Sequence, residues 1–122
     1  MAAPNLAAVT SIYGRSFGAE LTTTLTTGIF TCQANKVVKV NSILVANKDG
    51  TNDVDVTVYF FDNSAFARYE IASTITVPAD STLVVLSKET PLYLEEGDQL
   101  EAGASAAGDA VIIVSYEEID DA

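Results

Sequence analysis

The feature that most constrains this chain is an alternation of polar and apolar residues with a period of two, repeated in short runs from Val37 to Glu118. The clearest run is Asp53–Phe60, which has the pattern of a strand with one buried face. No long stretch shows the 3.6-residue period of an amphipathic helix. The sequence therefore predicts an all-β protein without a long helix.

Residues that favour turns divide this pattern into eight or nine short strands. The long segment Val37–Asn47 is apolar on both faces, which predicts a central place in a sheet. Asp49 and Gly50 follow it and predict a hairpin onto the next strand. The other predicted strands are an exposed one at Leu21–Thr27, then Asp53–Phe61, Tyr69–Val77, Thr82–Leu86, Leu92–Leu94, Gln99–Ala104 and Ala110–Tyr116.

Short strands at regular spacing predict an antiparallel β-sandwich, of which the jelly roll is one form. The 122 residues have the length of one domain. We assign residues 11–122 to a single β-sandwich domain, with a turn near Gly14–Gly18. Residues 1–10 carry no charged side chain and are weakly patterned. They are predicted to form an N-terminal arm or a first edge strand, and an arm of this kind orders only against a neighbour.

The charge of the chain is concentrated in its last third. The net charge at pH 7 is −11, and from Glu89 to Ala122 there are ten acidic residues and no basic one. Nucleic acid is not expected as a partner, because binding it requires lysines and arginines that displace counterions from phosphates. Two interpretations stay open, namely solubility at high copy number and docking on a basic partner.

Most of these acidic residues lie at turns, so we predict that they are solvated. The strand residues predicted to face inward in the same part of the chain are Leu100, Val111, Ile113 and Ser115.

The chain has few groups that can do chemistry. It contains no histidine and a single cysteine, Cys32, which excludes a Ser-His-Asp triad and an intrachain disulfide. We expect Cys32 to act as a small buried hydrophobic residue rather than as a reactive thiol, since no histidine is present to activate it.

Two acidic segments have a composition that would suit a metal site or a catalytic site. Asp49–Asp55 offers carboxylates for a calcium ion, but it lacks the helices and the distant glutamate of an EF-hand, and turn geometry explains its Asp-Gly pair. Glu95, Glu96 and Asp98 could pair as acid and base, but acids around a glycine turn are usually solvated. We predict no catalytic residue, no metal ligand, no cofactor and no enzymatic activity.

Aromatic residues cluster in one part of the chain. Adjacent residues on a strand point to opposite faces, so only some members of this cluster can pack into the core. The remainder marks either a protein contact or a sugar contact. The members are Tyr59, Phe60, Phe61, Phe66 and Tyr69.

The sequence gives no sign of a membrane partner. No apolar stretch approaches the ~20 residues that span a bilayer. Met1–Leu6 lacks the charged and apolar regions of a secretory signal, so we expect a soluble protein. Exposed strand edges invite pairing, and we therefore also expect a homo-oligomer or a subunit of a larger assembly.

Four segments together resemble small virion structural proteins of tailed phages. They are Val40–Asn47, Thr74–Leu83, Tyr93–Leu100 and Ile113–Ile119, and the beginning, Met1–Leu6, is similar to that of members from marine cyanophages. The similarity spans most of the chain, although each motif consists only of a strand and a turn. The resemblance implies a β-rich, non-enzymatic particle component, and it carries over no defined functional residue.

Our leading hypothesis is a capsid decoration or cement protein that stabilises the phage head by binding the major capsid protein or other virion proteins in many copies. Its location would be the virion, after synthesis in the host cytoplasm. One alternative is a tail, neck or fibre-associated component of the same particle. Another, from a different class, is a carbohydrate-binding β-sandwich, which a flat platform of exposed aromatic rings would favour.

Overall fold

The computed structural model describes Ala7, Val9 and residues 11–120. These residues form nine strands and no helix, which confirms the all-β prediction. The strands are β1 (Ser11–Glu20), β2 (Gly28–Thr31), β3 (Lys36–Asn47), β4 (Val54–Asp62), β5 (Ala67–Val77), β6 (Thr82–Leu86), β7 (Leu92–Leu94), β8 (Gln99–Ala104) and β9 (Ala110–Asp120).

The strands form two antiparallel sheets that pack into a β-sandwich. Sheet A has the order β1-β9-β3-β6, with β7 also paired to β3, and sheet B has the order β2-β8-β4-β5. β6 and β7 pair with Ile43–Ala46 and Val38–Val40 of β3, while β9 occupies the other edge of β3. β6 and β7 therefore form one composite strand, which residues 87–91 interrupt.

The pairing of the strands is nested. β1 pairs with β9, β2 with β8, β3 with the composite strand β6/β7, and β4 with β5. Nested antiparallel pairing across two four-stranded layers is the jelly-roll arrangement. The sandwich prediction is confirmed in this specific form, and β3 has the central place that its two apolar faces predict.

The core lies between the inner faces of the two sheets. Sheet A contributes alternate residues of β3 and β9, and sheet B contributes alternate residues of β4 and β8, as a period-two pattern requires. Leu100 lies at the centre of sheet B, between Phe30 of β2 and Phe60 of β4. The residues with the most deeply buried large side chains are Leu21, Ile43, Leu94, Leu100, Ile112, Val38, Val40, Val45, Val54, Val56, Val58 and Val77.

The turn predicted near Gly14–Gly18 is wrong, because β1 runs straight through it. Ser11–Glu20 pairs with Val111–Asp120 without any irregularity of register, and neither glycine has a positive φ. The continuous ladder to β9 therefore outweighs the local tendency of glycine to form turns. This correction gives sheet A an edge strand of ten residues.

The strand predicted at Leu21–Thr27 is also wrong, because the segment is an irregular connection between β1 and β2. The carbonyls of Thr22 and Thr27 accept hydrogen bonds from the N–H groups of Ala104 and Ala102, so the segment lies along the edge of β8. Between these two contacts, the Thr27 hydroxyl donates to the carbonyl of Thr24 at 2.7 Å. Threonine hydroxyls that bond to nearby backbone compete with a regular ladder, which explains the departure.

The hairpin predicted at Asp49–Gly50 is wrong, although a turn does form there. The Asp49 carboxylate accepts hydrogen bonds from the N–H groups of Thr51 and Asn52 at 2.8 and 3.2 Å. The strands on either side, β3 and β4, lie in different sheets. The turn therefore carries the chain from one layer to the other, because both edges of β3 are already taken by β9 and β6/β7.

The inward-facing set predicted for β9 is wrong by one residue. Ile112, Val114 and Tyr116 are buried, whereas Val111 and Ser115 are half-buried and Ile113 is 41% exposed. A strand that is apolar on both faces does not reveal from its pattern which face is inside. The prediction for Leu100 is confirmed, since it is fully buried.

The solvation predicted for the acidic residues fails at Asp98 and Glu101, which are both buried. The arm predicted at residues 1–10 lies outside the described residues, apart from Ala7 and Val9, so it stays a prediction. Within the described part of the chain, no helix is long and apolar enough to cross a membrane.

Candidate interaction surface

The carboxylates of the Glu95–Asp98 turn hold the fold together rather than forming an acid–base pair. Asp98 is 5% exposed, and its Oδ1 and Oδ2 accept hydrogen bonds from the N–H groups of Asn63 and Glu95, both at 2.9 Å. The Oε1 of Glu96 accepts from the N–H of Asn35 at 2.8 Å. Asp98 therefore connects the loop after β4 to the turn between β7 and β8.

The Asp49–Asp55 loop is organised by its own backbone. Besides the two N–H groups of the turn, the Asp49 carboxylate accepts a hydrogen bond from the side-chain amide of Asn52 at 3.2 Å. Asp55 accepts one from the Thr76 hydroxyl at 2.7 Å. Among the residues that the structure describes, no three histidine, cysteine or acidic side chains come together as a metal-binding group.

Two aspartates that accept hydrogen bonds in turns, Asp49 and Asp62, predict that the protein loses stability in acid. The N–H of Thr51, with that of Asn52, lowers the pKa of Asp49 below 3.8, and the Ser64 hydroxyl lowers the pKa of Asp62 in the same way. A lowered pKa in the folded state adds stability above the ordinary pKa, and this stability is lost as the pH falls through the folded value. We expect the urea midpoint to fall as the pH drops below about 4.

The double variant Asp49→Asn, Asp62→Asn isolates this contribution, because asparagine accepts similar hydrogen bonds but does not titrate. Its urea midpoint should fall less steeply with pH than that of the parent chain. Parallel pH profiles for the two proteins would show that these turns contribute nothing to the acid sensitivity.

Cys32 has the environment predicted for it. The side chain is buried, and its Sγ lies 3.3 Å from the carbonyl oxygen of Lys36. Burial raises the pKa of the thiol to about 11, so the reactive thiolate is scarce at neutral pH. The sequence prediction of a buried Cys32 is therefore confirmed.

We expect the native protein to react with a thiol-specific aromatic disulfide at pH 8 at least tenfold more slowly than the unfolded chain, because both burial and the raised pKa protect Cys32. Labelling followed by mass spectrometry, with and without urea, measures this ratio. Equal labelling rates in the two conditions would contradict the buried assignment.

The aromatic cluster is divided between the core and the surface. Phe61 is buried and Phe60 packs against the core, whereas Tyr69 is exposed. Phe66 is 82% exposed at the tip of the β4–β5 hairpin and has a φ of 50°. Its ring meets that of Phe61 edge to face, at 80° and 5.5 Å, so these two rings do not form a flat sugar platform.

A cavity of about 270 Å³ lies where the threonine-rich connection meets sheet B. Thr23, Thr57 and Thr74 line it, together with Asp55. No aromatic ring lines this cavity, so a sugar bound there would have no ring on which to stack.

A continuous apolar surface lies on the outer face of sheet A. Ile113 of β9 pairs with Leu44 of β3, and Leu44 pairs with Val84 of β6. Their sequence neighbours Ile112, Ile43 and Val45 are buried in the core, so these side chains point outward. Val111 and Ala46 form a second, parallel row beside them. We call these five residues the outer strip, and they are Leu44, Ala46, Val84, Val111 and Ile113.

The outer strip crosses three strands and contains no charged side chain. Val84 is 57% exposed and Ile113 is 41% exposed. At the β1 end, Gly18 lies opposite Ile113, and the absence of a side chain there leaves a shallow groove of about 410 Å³ beside Val111 and Ile113. Contiguous exposed apolar surface of this kind marks interaction sites.

Charged side chains of sheet A and of the loop after β3 form ion pairs. Arg15 lies 3.5 Å from Glu118, and Lys36 lies 2.8 Å from Asp120. Lys48 pairs with Glu20. These contacts pair Arg15, Lys36 and Lys48 within the fold, and no residue of the outer strip takes part in them.

Comparison with known proteins adds little to this geometry. No protein-family model matches the chain, and the search of curated proteins found no match. Among solved structures, a chain in the structure of infectious bursal disease virus, Gx strain, is similar at 13% identity and a TM-score of 0.31. The similarity covers 89% of this chain and 39% of the viral chain. The chain thus spans less than half the length of that neighbour, and a TM-score of this size carries no argument about function.

The sequence did not reveal the outer strip. Its members come from three strands, and only the register brings them together. The sequence signal that was present is the apolar character of both faces of β3 and β9, which leaves one apolar face outside the core.

Proposed function

We propose that this chain is a non-enzymatic structural protein of a phage particle, a capsid decoration or cement protein that binds the shell in many copies. The observation that supports it best is the outer strip, an uncharged apolar surface on a chain with a net charge of −11. A protein of this charge has ample polar surface for solubility, so an apolar face on it indicates contact with another protein. The resemblance to small virion proteins of tailed phages supplies the class of partner.

The mechanism follows from the shape of sheet A. The outer strip lies against the major capsid protein or another virion protein, and the acidic loops face the solvent. A modest apolar contact is weak for one copy, but a shell of defined symmetry offers the same site many times. Stabilisation of the shell then comes from the number of copies. The protein is synthesised in the host cytoplasm, becomes part of the virion, and requires neither nucleic acid nor a membrane.

A tail, neck or fibre-associated position in the same particle would use the same surface and is the alternative within this class. The carbohydrate-binding alternative has less support, because the most exposed ring, Phe66, lies edge to face with Phe61 and the cavity at Asp55 contains no ring. Its support is the pair Phe60 and Tyr69, whose rings lie 22° from parallel at 6.4 Å.

The proposal is tested with purified particles of the phage that carries this chain. We expect mass spectrometry to find the chain in high copy and cryo-electron microscopy to place the outer face of sheet A against the shell. In a reconstitution assay with particles that lack the chain, Ile113→Glu should abolish binding, because a carboxylate would be buried without a partner in the contact.

Ile75→Glu is the matched control. Ile75 is 40% exposed, almost the same as Ile113, but it lies on β5 of the other sheet. We expect this variant to bind like the parent chain. Absence of the chain from purified particles, or equal binding by the two variants, would overturn the proposal.

A further inference from the structure

We propose that two copies of this chain pair through their β1 strands, antiparallel and about a two-fold axis, so that sheet A continues from one copy into the other. This interface is distinct from the outer strip. It rests on the geometry of the strand edges, so it can hold even if the proposed virion role fails.

β1 is the least protected sheet edge among the described strands. It has ten residues, nearly all exposed, and its ladder to β9 has no bulge. Natural proteins protect an edge by shortness, bulges, charge or proline, and β1 contains neither proline nor a bulge. A long, regular edge with unpaired backbone groups is a template for another strand.

The other three edges carry such protection. β2 has only four residues. β5 pairs with β4 through two register shifts and has a positive φ at Thr74. The composite strand β6/β7 is interrupted by residues 87–91, which include Lys88 and Pro91. The contrast singles out β1 as the edge that remains available.

Two glycines in β1 have no role inside the fold that requires glycine. A Cβ at Gly14 would meet no atom within 4 Å, and one at Gly18 would come no closer than 3.7 Å to the carbonyl oxygen of Ile112. Glycine within a strand is destabilising relative to alanine. Close approach of a second backbone accounts for glycine at both positions.

Charge favours a second copy at this edge. Two chains of net charge −11 repel each other over most of their surfaces. Ser11–Glu20 contains only one cation and one anion, Arg15 and Glu20, and each is paired within its own copy, with Glu118 and Lys48. The β1 edge is therefore electrically neutral, and two acidic copies can meet along it.

The two-fold axis restricts the register to those with the axis at a residue, and we place it at Ser16, near the middle of β1. Residues that face each other across a continuous antiparallel pair share a side of the sheet. An axis at Ser16 satisfies this condition and sets Gly14 of one copy opposite Gly18 of the other. It also sets Arg15 opposite Phe17 of the second copy.

Analytical ultracentrifugation over a range of concentrations tests the pairing, with Gly14→Glu and Thr82→Glu as the variants. We expect the parent chain to be a dimer and Gly14→Glu to raise the dissociation constant at least tenfold, because each added carboxylate would lie at the pairing edge. Thr82→Glu adds the same charge to an exposed position on β6 at the far edge of sheet A, and it should dimerise like the parent.

A second variant tests the register. Ser16→Cys should form a disulfide between two copies under mild oxidation, because residue 16 meets itself at the axis, whereas the buried Cys32 should not react. Circular dichroism and the urea midpoint show whether each variant is folded. A monomeric parent chain, equal dimerisation of the two glutamate variants, or a Ser16→Cys dimer that does not cross-link would overturn the proposal. Ile113→Glu should leave the dimer intact, which separates this test from that of the proposed function.

Discussion

Replacing Asp98 with alanine should lower the free energy of unfolding by roughly 2–6 kcal/mol, since two backbone N–H groups each lose an acceptor at about 1–3 kcal/mol. The two groups belong to Asn63 and Glu95 and have no other acceptor in the loops they close. The Asp98 carboxylate is 5% exposed, so water replaces it poorly. Urea denaturation at pH 7 measures the loss.

Glu95→Ala is the control for this prediction, because Glu95 lies in the same turn but its side chain is exposed. We expect its effect to stay within about 0.5 kcal/mol, as for most surface substitutions. Asp98→Asn should be intermediate, since the amide keeps one acceptor oxygen and replaces the other with a donor. If Asp98→Ala and Glu95→Ala lose the same stability, the buried carboxylate does not hold the two loops together.

The second large effect is expected at Gly103, where Gly103→Ala should cost about 1–3 kcal/mol through overpacking. A Cβ there would lie 2.6 Å from the Cα of Leu25 and from the carbonyl oxygen of Thr24. Both are backbone atoms, so the whole threonine-rich connection has to move away from β8. We expect faster amide hydrogen exchange at Ala102 and Ala104, whose N–H groups bond to this connection.

Gly14→Ala provides the comparison, because the added methyl group meets nothing within 4 Å and the φ of Gly14 is not positive. At a protein concentration low enough for a monomer, its stability should rise by about 0.5–1 kcal/mol, because alanine is favoured over glycine within a strand. Similar losses for the two alanine variants would show that glycine is needed in these strands for conformation rather than for space.

The sequence predicted the strands well where one face is clearly polar. The Asp53–Phe61 prediction matches β4 to within one residue at each end, and the Gln99–Ala104 prediction matches β8. These segments have a polar residue at almost every second position, so local pattern decides their structure. The sandwich class followed from the same pattern.

The remaining features depend on pairing between distant residues. Gly14 and Gly18 look like turn residues, but pairing with β9 holds them in a strand. Asp49 forms the turn that its sequence predicts, and only the place of β3 between its neighbours makes that turn a crossing between sheets. No local rule distinguishes a hairpin turn from a turn that crosses between sheets, because the same backbone geometry serves both.

The outer strip could not be predicted from the sequence for a related reason. Period two places Val111, Ile113 and Ser115 on one side of β9, but both sides are rich in apolar residues, and the pattern does not say which one faces the core. The assignment depends on the register with β3, which brings Ile113 beside Leu44 on the outer face.

The nested pairing of the strands has a consequence for the order in which the chain folds. The β4–β5 hairpin closes a loop of only a few residues, from Asp62 to Ala67, whereas the pairing of Ser11 with Asp120 encloses the whole of the strand region. Loop closure costs more entropy as the loop lengthens, and each inner pair shortens the loop that the next one has to close. Folding is therefore expected to start at the hairpin, to proceed outward on the slow timescale of all-β proteins, and to end at β1. The edge proposed to pair two copies would then be completed last, so that unfinished chains lack it during the time when they are most exposed to aggregation.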